Sequence, residues 1–69
     1  MIANESKRFG QNLKRIRTEK GISQGDISRT LKVNRSYISN IENGKMNPTL
    51  ATIAKLAKAV EVTIDELLK

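Results

Sequence analysis

Cysteine and histidine are both absent from the 69 residues. The first absence removes disulfides and thiol nucleophiles, and leaves no redox compartment to infer from thiols. Together they remove the usual zinc ligand sets, so no metal or other cofactor is expected. A catalytic site would have to rest on Asp, Glu, Lys, Ser or Tyr, and no two carboxylates fall in a plausible constellation. Asp65 and Glu66 are neighbours on different faces of a helix start. An enzyme is the weakest reading. No apolar run nears the roughly 18 residues of a membrane span, and the opening stretch is too polar for a secretory signal, so a cytoplasmic chain is expected. Sustained period-two alternation is missing too, which argues against any sheet.

What is present is basic charge, unevenly spread. The formal net charge is +6. Residues 1–45 hold ten Lys/Arg and four Asp/Glu, while residues 46–69 hold three of each. All the excess therefore lies in the first two-thirds of the chain. A basic surface can serve solubility alone, but nucleic acid is the stronger reading. No segment pairs a basic face with a broad apolar one, which speaks against a membrane surface. Lys7, Arg8, Lys14 and Arg15 read as a solvated face of the first helix, and Lys55 and Lys58 as facing water.

The length suits one domain, residues 1–69, whose small core calls for a compact helical bundle or help from a partner chain. It leaves no room for a ligand-sensing domain, so no small-molecule ligand is expected. Five short helices are predicted. The first runs from about Glu5 to Lys20, with Phe9, Leu13 and Ile16 on one face, and Gly21 stops it. Ser23 caps the second, with Asp26 in the capping-box position and Ile27 and Leu31 as the buried stripe. Asn34 caps the third, which Gly44 ends. The fourth, about Leu50 to Val60, follows Asn47-Pro48-Thr49 and buries Leu50, Ile53, Ala57 and Val60. Thr63 caps a last helix with Glu66 at the box position. The fold class is all-α, a five-helix bundle.

Helices two and three, joined by about three residues, have the geometry of a helix-turn-helix over residues 23–43. Ile27 and Leu31 can meet Ile38 and Ile41 across Val33, leaving the other side of helix three to solvent. That side carries Arg35, Ser36, Ser39, Asn40 and Asn43, with no carboxylate. Exposed helix faces ordinarily favour Glu, Lys, Gln and Ala, because Ser and Asn compete with the helix backbone. The DNA major groove explains the choice. Arg can donate twice to guanine O6 and N7, Asn pairs bidentately with adenine, and a carboxylate would oppose phosphate.

The stretch "ISQGDISRTLKVNRSYISNIENGKMNP" resembles the helix-turn-helix of the lambdoid-phage repressor and Cro family, also called the XRE family. The likeness continues through "PTLATIAKLAKAV" to "TIDELL", and so spans the chain. Within the family, "RSYISNIENGKMNPTL" is similar both to restriction-modification controller proteins and to small phage or plasmid repressors. The resemblance implies a lambda repressor-like DNA-binding fold and roles for particular residues. Arg35, Ser36 and Asn40, with Ser39 adjacent, would read base edges from a helix spanning 35–43. Gln24, Asn43 and Lys45 would bind phosphate, the last two together with main-chain N–H groups near Gly44. Tyr37 would touch the DNA backbone or pack. Arg17 and Glu42 match a partly buried structural ion pair. Lys32 stands where the family's turn has glycine at positive φ, and Ser28 replaces a usual alanine. Gly25 weakens the first turn of helix two.

The resemblance also implies a homodimer on a palindromic operator, with half-sites about one helical turn apart. Ile64, Leu67 and Leu68, with the end of helix four, are the candidate dimer contacts; the alternative is that they close the monomer's own core. RNA polymerase is a candidate further partner, for docking beside it gives activation, whereas occluding a promoter gives repression. Two other uses of this fold stay open: an antitoxin-type autoregulator that also binds a protein, and a protein-interaction module that binds no DNA. The second would be expected to expose apolar residues on helix three, and none is there.

Overall fold

The computed structural model describes residues 2–69, and its helices follow in the order α1 (Ile2–Glu19), α2 (Gln24–Leu31), α3 (Arg35–Glu42), α4 (Leu50–Ala59) and α5 (Ile64–Leu68). No strand occurs among the described residues. The first helix begins three residues before the expected Glu5 and ends one before Lys20.

Side-chain caps start α2, α4 and α5. The Ser23 hydroxyl accepts from the Asp26 N–H at 3.0 Å while the Asp26 carboxylate accepts from the Ser23 N–H at 3.0 Å, completing the reciprocal box. Thr49 caps α4 through the Thr52 N–H at 3.2 Å, and Thr63 caps α5 through the Glu66 N–H at 3.1 Å. Asn34 is a correction. It stands at the start of α3 in extended conformation, but its side chain makes no capping bond. The Tyr37 N–H it would have met donates instead to the Asn34 main-chain carbonyl at 3.0 Å.

One device closes α1 to α4. Gly21, Lys32, Gly44 and Glu61 each adopt positive φ, between 59° and 73°. The next residue's N–H then reaches back five positions: Ile22 to Arg17, Val33 to Ser28, Lys45 to Asn40 and Val62 to Ala57, at 2.8 to 3.0 Å. This paired closure satisfies carbonyls that the helix leaves open. Lys32 and Glu61 adopt the left-handed conformation with a side chain, which costs on the order of 1 kcal/mol each.

The core takes residues from every helix. Phe9, Leu13, Ile16, Ile27, Ile38, Ile41, Leu56, Ala57, Val60 and Leu67 are buried, with Ile22, Leu31, Tyr37 and Ile53 packed at its margin. Leu50 departs from expectation, at 72% exposed. Side chains on a helix lean toward its N-terminus, so the first residue of α4 projects past the layer that Leu56 and Val60 fill. Ile53 is half-buried rather than buried, and Leu56 takes the central place.

Candidate nucleic-acid interface

The helix-turn-helix is built on a short, tightly closed turn. Lys32 to Asn34 join α2 to α3, with Lys32 at φ 59° and ψ 47° as its expected stand-in for glycine requires. Ser28 is 7% exposed and its hydroxyl donates to the Gly25 carbonyl at 2.9 Å, so the small polar residue fits between the helices. Ile27, Ile38 and Ile41 are at most 1% exposed, which fixes one side of α3 inward and so aims the other outward.

Two further contacts hold the C-terminal end of α3. A Cβ built on Gly10 of α1 would lie 2.3 Å from the Ile41 carbonyl oxygen, closer than any side chain permits. Nothing in the local pattern marked Gly10, because its reason lies on another helix. The second contact is polar. Arg17 Nε donates to Glu42 Oε2 at 2.5 Å, Arg17 Nη2 to Oε1 at 3.0 Å, and Gln24 Nε2 to Oε1 at 2.8 Å. The Glu42 side chain is 2% exposed and that of Arg17 14%, so the carboxylate is buried and the guanidinium mostly so. The hydrogen bond it donates to Glu42 raises the Arg17 pKa above its ordinary value against the opposing effect of burial, keeping the guanidinium charged.

On the outer face, Arg35, Ser36 and Asn40 are exposed, and among the described residues none has a hydrogen-bonding partner for its side chain. Ser39 is half-buried and accepts from Asn43 Nδ2 at 3.4 Å, which ties those two together. Tyr37 is half-buried against the core margin. Asn43 and Lys45 are exposed, but the main-chain N–H groups beside them are engaged. Gly44 N–H bonds Ile41 and Lys45 N–H bonds Asn40, so the expected backbone donors are turned into the helix and the side chains alone face outward. Gly44 itself sits at φ +73°, and a Cβ there would lie 2.8 Å from the Cα of Lys7, which fastens this loop to α1. Ser6 adds a hydrogen bond from α1 to Asn47 in the same loop.

Gln24 stands at the start of α2 as expected, yet its amide is bonded to Glu42 and half-buried. The cation exposed on that helix is Arg29. Its Nη2 donates to Asp26 Oδ1 at 2.5 Å. The Asp26 carboxyl is held below its ordinary pKa, first by the Ser23 N–H, then by the Ser23 hydroxyl and by Arg29. The spacing of three between Asp26 and Arg29 was a signal for the pair.

The candidate dimer residues divide. Ile64 is 36% and Leu68 50% exposed, whereas Leu67 has no exposed surface and belongs to the core. Helix α5 turns that one side chain inward against α1 and α4, so Leu67 can lend no area to a second chain. Asn12 Nδ2 donates to the Leu67 carbonyl at 2.9 Å, holding α5 against α1.

Among the described residues, no group of His, Cys, Asp and Glu could hold a metal ion, and no helix is long and apolar enough to cross a membrane. The family model described as helix-turn-helix matches residues 13–67. The control protein C.MunI of a Mycoplasma species is 39% identical over 61 residues, covering 87% of this chain and 82% of that protein. The crystal structure of the restriction-modification controller protein C.AhdI from Aeromonas hydrophila superposes with a TM-score of 0.87 at 38% identity, covering 93% of this chain and 97% of that one. The controller protein C.Esp1396I, solved as a tetramer in complex with its natural 35 base-pair operator, matches with a TM-score of 0.77 at 32% identity, over 93% and 95% of the two chains.

Proposed function

The chain belongs to the helix-turn-helix family of DNA-binding transcriptional regulators, which are not enzymes, and from that premise we propose a sequence-specific regulator of the restriction-modification controller type. It acts in the cytoplasm as a homodimer on a palindromic operator, with α3 in the major groove of each half-site. One observation carries the reading. Arg35, Ser36 and Asn40 stand exposed and unpaired on a helix whose other contacts are all fixed, so their donors and acceptors are free for base edges. A helix with its side chains is about 10–12 Å across, which the major groove admits. Asn43 and Lys45, just past the helix, suit phosphate, and Tyr37 suits the flank of the groove.

Dimerisation supplies the length of site that one short helix cannot read. Ile64 and Leu68 on α5 are the apolar side chains available for it, and Leu50 is a further exposed one. C.Esp1396I, a relative, occupies its operator as a tetramer, and RNA polymerase is a further partner where an operator of this protein lies beside a promoter.

Selection of bound sequences from a random duplex pool at near-physiological salt tests the proposal, and a palindromic consensus is expected. Arg35→Ala should then relax base preference at one position per half-site, at about 1–3 kcal/mol. Lys45→Ala should weaken all duplexes alike and flatten the salt dependence. Recovery of unselected DNA would overturn base reading. Equal effects of the two substitutions on every sequence would overturn the division between readers and clamps.

A further inference from the structure

Two helices carry the proposed contacts to other molecules, α3 toward DNA and α5 toward a second copy. Among the described residues these two do not pack against each other, whereas α1 packs against both. At about 100° per residue, Gly10 and Arg17 fall on one flank of the Phe9, Leu13 and Ile16 stripe, and Arg8 and Asn12 on the other. The first flank meets α3, with Gly10 under the Ile41 and Glu42 carbonyls and Arg17 holding Glu42. The second meets α5. There Asn12 Nδ2 donates to the Leu67 carbonyl at 2.9 Å, and Arg8 Nη2 to the Lys69 carbonyl at 2.7 Å.

The Asn12 amide is itself held. Arg15 Nη2 donates to Asn12 Oδ1 at 2.8 Å, and Arg15 Nη1 lies 3.6 Å from Glu19 Oε1. This chain of side chains along α1 turns the amide N–H groups toward Leu67. The Leu67 carbonyl lies in the last turn of α5, where the helix has no donor of its own to offer. Five residues make no stable helix alone, so α5 takes its direction from what holds it. The Thr63 cap holds its start, the buried Leu67 side chain its middle, and Asn12 its end, with Arg8 beyond.

We infer that Asn12 is a positioning residue for operator spacing. By fixing α5 to the helix that also carries α3, it sets the distance and angle between the two reading helices of a dimer. The number of base pairs between half-sites follows from that geometry. The inference rests on the dimer reading above, in which Ile64 and Leu68 join two copies. Each added base pair moves a half-site about 3.4 Å along the duplex and about a tenth of a turn around it. A dimer with α5 fixed meets one such arrangement. A dimer whose α5 swings on its Leu67 anchor meets neighbouring ones too. Asn12 lies on the flank away from α3, so its effect falls on spacing and not on base preference.

The test uses the full chain and three duplexes, carrying the selected half-sites at the preferred spacing and at one base pair more or fewer. Asn12→Ala should lower the preference for the first duplex several-fold, while keeping the half-site consensus and the dimer in sedimentation. Asn12→Asp, of similar size but without the donor, should do the same. Thr49→Ala removes a cap from α4 and so weakens the fold elsewhere; it should melt lower and keep the wild-type preference. An unchanged preference in either Asn12 variant, or an equal loss in Thr49→Ala, would overturn the positioning role and leave the dimer reading intact. A wild-type chain that sediments as a monomer on its operator, or ignores spacing, would overturn both.

Discussion

Replacing Arg17 by methionine should bring the protein close to unfolding. Glu42 is the buried carboxylate of the structure, and three donated hydrogen bonds hold it, two from Arg17 and one from Gln24. Arg17→Met removes two of the three and the only positive charge among them. Breaking a buried pair by deleting one partner costs about 3–5 kcal/mol, because the remaining charge has lost both water and its counter-ion. Little discount for solvent applies, since the two side chains are 14% and 2% exposed. A chain of this length has a total stability of about 3–10 kcal/mol, so the variant would keep about two-thirds at best and none at worst. The double variant Arg17→Met/Glu42→Leu should recover most of the loss, for an apolar pair of similar volume removes the stranded charge. Urea titrations followed by far-ultraviolet circular dichroism on the wild type, Arg17→Met, Glu42→Leu and the double variant give the coupling energy directly. A cost under about 1 kcal/mol for Arg17→Met would refute the reasoning, since that is the range of a surface ion pair. It would also mean that something else fixes the end of the reading helix to α1.

Three other outcomes follow from particular contacts. Lys32→Gly should stabilise the turn by up to about 1 kcal/mol, read as a rise in thermal midpoint, by relieving a side chain at φ 59°; an unchanged or lowered midpoint would show the turn unstrained. Asp26 has its folded pKa lowered, so its contribution to stability is complete above the unfolded value of about 3.9 and is lost as pH falls through the folded value. The stability gap between wild type and Asp26→Asn should therefore narrow below about pH 4; a gap of the same size at pH 7 and in strong acid would count against the capping bonds as its source. Finally, Ile64→Asp with Leu68→Lys should shift sedimentation toward monomer with little change in melting. By contrast, Leu67→Ala should cost about 2–5 kcal/mol as a core cavity. Dimers persisting in the first variant would move the interface off α5.

The parts of this structure that could be read in the chain are those decided within one turn of helix. The Ser23–Asp26 box needs residues three apart, and the closing turns at Gly21 and Gly44 show a glycine after an apolar stripe, whereas the left-handed Lys32 was implied only by the family resemblance. Glu61 closes α4 in the same way and carried no such mark, because a glutamate there gives no hint of positive φ. Misreadings concentrate where the deciding partner is far along the chain. Leu50 fits the apolar period of α4 as well as Val60 does, and only the position of the other helices leaves it at the rim. Gln24 has the residue type and place of a phosphate clamp, and that Glu42, eighteen positions on, also accepts one of its amide N–H groups has no mark in the local pattern. Gly10 looks like an ordinary weak point in a helix until the Ile41 carbonyl is set against it. The outer face of α3 escapes this difficulty for a physical reason. A residue reserved for an absent partner makes no contact within its own chain, so its chemistry stays legible from residue type alone. Arg35, Ser36 and Asn40 are exposed, as their residue types led one to expect, and their proposed use as base readers starts from that exposure. Arg29 makes its contact within its own helix, and its pairing with Asp26 reads as ordinary helix-surface chemistry.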